Sequence, residues 1–254
     1  MDSTVQPSRN KFGTLAANAG FGIAFVSAIA SLLAGLGTRW GWWDYRTGFS
    51  ILRFAVWAGL GAAVVSLYAL AVALRHHSRR AIVFGVHGLI IGALVFGVPW
   101  YLVNEGRKLP PIHDITTDTS DPPVFVAVLP LRKEAPNTAQ YAGAELAEQQ
   151  KKGYPDLAPA LLPAPPREVF DRALEIAKRS GWEIVAAVPE QNRIEATATT
   201  DWFGFKDDIV IRIKPANTGS RVDVRSVSRV GRSDLGANAR RIRDFLQQLN
   251  APKS

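Results

Sequence analysis

The chain contains no cysteine and a single methionine. Without cysteine there can be no disulfide, no thiolate metal site and no cysteine nucleophile, and the redox compartment leaves no trace in the sequence. Also missing are a nucleophile elbow, a phosphate-cradling glycine loop and a His-Glu-x-x-His helix. Three long stretches lack any Asp, Glu, Lys or Arg: roughly 15–36, 54–74 and 81–103. Mean hydropathy over the 254 residues is only +0.03 although 47% are apolar, so the apolar residues are concentrated in part of the chain. That excludes both a uniform soluble globule and a disordered chain.

Each uncharged run is long enough, at about 1.5 Å per residue, to cross a hydrocarbon core of about 30 Å. The expectation is a three-helix transmembrane region over residues 1–104. The first run could be a cleaved signal, but its length and the two spans after it favour retention. Residues 1–104 carry eight Lys/Arg and two Asp/Glu, whereas residues 105–254 carry twenty-two and twenty. Most of the net +8 therefore lies beside apolar runs, which argues against a nucleic-acid partner and for the lipid bilayer.

Topology rests on basic residues flanking the spans. Arg9, Lys11, Arg75, Arg79 and Arg80 on one side match Arg39, Arg46, Arg53, Arg107 and Lys108 on the other. The short loop Arg75-His76-His77-Ser78-Arg79-Arg80 has the higher charge density and is assigned to the cytoplasm. The expectation is a multi-pass protein of the bacterial inner (plasma) membrane, with its C-terminal domain in the periplasm. Trp40, Trp42, Trp43, Trp100 and Tyr101 suit interfacial belts. Gly59 with Ala63, and Gly88 with Gly92, suit close helix approach. His87 lies within the third run with no acidic partner in any span, so a neutral histidine bonded to a neighbouring helix is expected.

Residues 105–166 are rich in proline and read as extended chain, with a short strand at Val124–Leu129 and a short helix at Ala142–Lys151. His113, Asp114 and Asp118 fall close together there and are the candidates for acid/base catalysis. Their spacing matches no metal loop, so no metal or other cofactor is expected, and Asp and Thr side chains fixing turns explain the stretch more simply.

Residues 167–250 show clear periodicity. Glu168–Arg179 is a predicted helix, stopped by Gly181. Four strands follow by period-two alternation: Trp182–Val188, Asn192–Thr200, Lys206–Lys214 and Arg221–Val230. Short turns between them favour antiparallel neighbours. A last helix is expected from Ser233 or Asp234. The predicted domain is small and α+β: helix, four-stranded antiparallel sheet, helix. Its polar sheet face is biased to cations. Between Arg212 and Arg243 there are nine Lys/Arg against Asp223 and Asp234. Arg212, Lys214, Arg221, Arg225 and Arg229 are thus the candidates for binding an anionic ligand, anionic lipid or envelope protein. The plainer alternative is a solvated face of cross-strand ion pairs, with the 105–166 segment covering part of it. The loop Thr200–Phe205 places three aromatics beside Gly204 and is expected to pack down and close the sheet end.

The runs Ile112–Asp118, Arg193–Thr200, Phe203–Asp208 and Gly219–Asn238 resemble the bacterial domain-of-unknown-function 1499 family over about residues 110–250. The resemblance implies an N-terminal membrane anchor, which many members share. It transfers no activity and no catalytic residue. Two functional expectations follow: an inner-membrane protein whose outer domain binds a partner or anionic ligand, or a membrane-surface enzyme using His113 and Asp114.

Overall fold

The structure, a computed structural model, describes residues 7–251, with side chains from Lys11 onward. Arg9 in the topology count therefore lies outside the described side chains. The chain forms two compact units, one of residues 1–104 with 201–204, the other of residues 105–200 with 205–254.

The first unit contains α1 (Pro7–Arg39), α2 (Tyr45–Arg75) and α3 (Arg79–Gly106). All three are long and apolar enough to cross a membrane. Their packing inverts that of a water-soluble bundle. The buried residues of α2 are all small: Gly48, Ala55, Gly59, Ala62, Ala63, Ser66, Ala69 and Ala73. Its large side chains, including Phe54, Trp57 and Leu67, point outward. Small residues let backbones approach closely, as in helices suited to packing in lipid. A Cβ on Gly92 would strike the Gly59 carbonyl oxygen and Ala63, and one on Gly88 would strike Ser66 and the Phe21 backbone. The His87 Nδ1 sits 2.8 Å from the Val83 carbonyl oxygen of its own helix. Its partner is thus one turn back on α3, not on a neighbouring helix as expected. In the helix, side chains lean toward the preceding turn, which brings that carbonyl within reach.

Residues 201–204 belong to this unit rather than closing a sheet end. Trp202 Nε1 donates to the Leu32 carbonyl at 3.1 Å, and the Phe203 ring lies 4.9 Å from that of Phe49.

The second unit is built on one antiparallel sheet in the order β1-β6-β5-β4-β3, with β2 also pairing with β6. The strands are β1 (Asp114–Thr116), β2 (Ala160–Leu162), β3 (Glu183–Val188), β4 (Arg193–Thr199), β5 (Lys206–Ala216) and β6 (Gly219–Ser228). The sheet thus has six strands rather than four. The two additions, β1 and β2, come from the proline-rich segment and lie along the same edge of β6. They pair where an exposed edge would otherwise invite association. Helices α5 (Pro166–Arg179) and α6 (Ala237–Asn250) cover one sheet face, and α4 (Ala144–Gly153) lies in the segment between β1 and β2. Ile194, Ile209, Ile211, Val222 and Val224 meet Phe170, Ile176, Ile242, Phe245 and Leu249 in a single core. Each such side chain contributes about 1.5–3 kcal/mol by leaving water.

Two boundaries differ from expectation for local reasons. Val124–Leu129 is not a strand, because the Val126 and Val128 amides donate to the Glu195 carboxylate instead of to a ladder. Helix α6 begins at Ala237, since Leu235 (φ 51°) and Gly236 (φ 79°) are left-handed and break the helical path. Asp234 still caps it from upstream, accepting from the Gly236 and Asn238 amides, both at 2.8 Å.

Candidate functional site

The polar face of the sheet lies opposite α5 and α6. Alternation places Asp208, Val210, Arg212 and Lys214 of β5 beside Arg221, Asp223, Arg225, Val227 and Arg229 of β6. Residues 117–141 run over this face, and each basic side chain meets an acid.

Arg225 is 2% exposed and grips Asp114 through both arms, Nε to Oδ1 at 2.9 Å and Nη2 to Oδ2 at 2.8 Å. Its remaining donors reach the Pro123 and Ala139 carbonyls. The rings of Phe125 and Tyr141 stack over the guanidinium with centroids 5.2 and 5.3 Å away. Such bidentate, doubly stacked geometry is specific to arginine. Burial, then the nearby Asp114 charge, pushes the Tyr141 hydroxyl up to about 12.

At one end of the face, Asp208 accepts from Arg132 at 2.6 Å, from Arg229 at 2.8 and 2.9 Å, and from Thr197 at 2.7 Å. Burial pushes its carboxyl up, but the bonds from Arg229, Thr197 and Arg132 outweigh burial and hold it below the ordinary value. At the other end, Asp223 binds both Arg212 and Arg221. Asp118 bridges the same two arginines from above, while Asp121 joins Arg212 to Lys214. The bond from Lys214, then the charge of Arg212, lowers the Asp121 carboxyl. Between the charged groups, Phe125 and Val128 pack on Val210 and Val227 as a second small core.

The five proposed ligand-binding cations thus occupy a common face, but in unequal settings. Arg225, Arg212 and Arg229 are buried or half-buried and paired with carboxylates. Side chains of Arg221 and Lys214 keep 37% and 47% exposure, so they alone of the five present substantial surface. His113 and Asp114 are not brought together, because adjacent strand residues point to opposite faces. His113 Nδ1 faces the Arg232 carbonyl at 3.3 Å, while the Asp114 carboxylate is held by Arg225. Asp118 is held by Arg212 and Arg221. Among the described residues, no group of three His, Asp or Glu is placed to hold a metal ion.

Arg132 is a member of the network that pattern reading missed. Its carboxylate partner Asp208 lies 76 residues away in sequence, beyond any local motif. One signal was present. Val210 and Val227 interrupt the otherwise charged face, and aliphatic residues there indicate a cover.

The fold defines a class: a small α+β domain with a sheet face of mutually paired charges, preceded by three helices long and apolar enough to cross a membrane. Residues 114–249, more than half of the chain, match the family described as protein of unknown function (DUF1499), and the chain belongs to that family. No curated protein matches it. The runs that carry the family resemblance supply both halves of the network: Asp114 and Asp118 from one, Arg221, Asp223, Arg225 and Arg229 from another, Asp208 from a third.

Proposed function

We propose that this chain is an inner-membrane protein of the bacterial cell envelope. Its helices anchor it, and its α+β domain stands on the periplasmic side as a binding module for an envelope partner or an anionic ligand. The observation that carries the reading is the pairing of three membrane-length helices with a domain whose charged groups hold one another. The carboxylates suited to proton transfer are committed to arginines, whereas Lys214 and Arg221 keep accessible charge. Of the original set, these two make the direct contact, and Arg212, Arg225 and Arg229 hold the surface in shape.

The test has two halves. Protease added to spheroplasts should digest the domain and spare the helices; digestion only in everted vesicles overturns the orientation. A photocrosslinking residue beside Lys214 should give a discrete envelope adduct, lost in Lys214→Glu/Arg221→Glu. An unchanged adduct in that variant overturns the assignment of contact.

A further inference from the structure

The segment that covers the charged face has an outer surface of its own. Val124, Val126, Leu129 and Leu131 all face solvent, Val124 at 69% exposure and Leu129 at 46%. Among the described residues of this unit, the only other large aliphatic side chains so exposed are Leu161 and Leu235. Exposed aliphatic side chains so concentrated in one short segment are the kind of surface that marks a contact. Two of them, Val124 and Leu129, line an open cleft of about 610 Å³, within the usual range for small-ligand sites. Its lining includes Val124, Phe125, Leu129, Pro136 and Ala139, with Arg132 among them.

Charge under the cleft is not balanced. Arg132 and Arg229 share the one carboxylate of Asp208, which leaves an excess positive charge beneath apolar walls. Arg132 is 7% exposed; its Nη groups donate to Asp208 and to the Val227, Asn137 and Ser228 carbonyls, and its Nε–H alone is buried without an acceptor. A buried donor without a partner is costly, and a charged one more so. Aliphatic walls above two guanidinium groups that share one carboxylate complement an acyl chain joined to an anionic head.

We propose that this cleft binds an anionic phospholipid, its acyl chain against Val124, Leu129 and Pro136 and its phosphate drawn to Arg132. The source is the bilayer in which the chain's own helices lie. The proposal rests on the reading of the domain as a membrane-anchored binding module, and it adds to that module a second site, apart from Lys214 and Arg221. It differs from a generic basic surface in that the affinity comes jointly from apolar walls and one local charge.

The full chain, reconstituted in vesicles, is irradiated with phosphatidylglycerol bearing a photoreactive acyl chain, and the labelled peptides are mapped. A parallel sample carries the phosphatidylcholine analogue. The expected result is labelling of residues 124–139 by the glycerol lipid, competed by unlabelled phosphatidylglycerol. In Val124→Asn/Leu129→Asn, surface changes that leave the core intact, cleft labelling should fall roughly tenfold, as expected for lost apolar contact. Helix labelling should stay constant in every sample. If the helices label and the cleft does not, the lipid site is overturned and the anchored module stands. Equal cleft labelling by phosphatidylcholine overturns the role of charge and with it the proposal. Loss of helix labelling overturns the anchor itself, and the lipid site falls with it. A photoreactive group at position 129 that captures a protein in place of lipid also overturns it.

Discussion

At the scale of single residues, the most consequential contact is Asp114 with Arg225. Both are buried, and Arg225 has no water to replace a lost carboxylate. Removing one member of a buried pair leaves an uncompensated charge, at a cost of about 3–5 kcal/mol. Asp114→Ala should therefore lower the thermal unfolding midpoint of the second unit sharply. Asp114→Leu combined with Arg225→Met should recover much of the loss, because no orphaned charge remains. A double variant no better than the single would show that the pair itself, not charge burial, supports the fold. Asp208 makes a separate prediction in pH. Its folded carboxyl is held below 3.8, so the stability it contributes is present above that value and is lost as pH falls through the lower, folded one. Asp121 acts in the same direction. Burial raises Asp234, so that group costs stability as pH climbs past the ordinary value. Melting curves of Asp208→Asn should lie well below wild type at neutral pH and converge with it under acid conditions, below about pH 4.

At the scale of elements, helices and strands answer to different information. The apolar runs in 1–104 and the alternation in 183–228 follow from local period, so three helices and the four main strands were readable directly. So was the Gly181 stop, which has φ 74°. Strands β1 and β2 were not, because each is three residues long and is defined by its register on β6, not by a pattern of its own. The basic sheet face was legible in composition and misleading in accessibility. Its acid partners Asp114, Asp118 and Asp121 sit about a hundred residues earlier, where they read as turn formers. For the helical unit, Gly92 gives the test. Gly92→Leu keeps α3 apolar enough to insert, yet puts bulk against Gly59 and Ala63. Insertion should be unchanged, while engineered crosslinks between α2 and α3 should fade, with a loss of about 1–3 kcal/mol in helix association. Crosslinking as efficient as wild type would mean the helices tolerate wider spacing.

At the scale of the whole molecule, two opposite packing patterns share one chain. In the first unit, large side chains face outward and small ones inward, as lipid permits. In the second unit, isoleucine, valine and phenylalanine are drawn inward, as water demands, and even the charged sheet face is closed by its own neighbouring segment. The charge excess that composition places between Arg212 and Arg243 is largely cancelled in space, because carboxylates arrive from 114–121 and 207–208. Net charge along the sequence is therefore a poor guide to the potential this domain presents.

The strap of chain over the sheet also dictates where the molecule can be cut. A fragment starting at Arg167 keeps β3 to β6 and both covering helices, yet lacks Asp114, Asp118, Arg132 and the two edge strands on β6. Arg225 would lose its carboxylate, Val210 and Val227 would be bared, and β6 would stand open to other copies. Such a fragment should precipitate on expression, whereas one starting near Glu105 should be recovered in solution as a monomer by size-exclusion chromatography. Anyone excising this domain for study must take the proline-rich stretch with it.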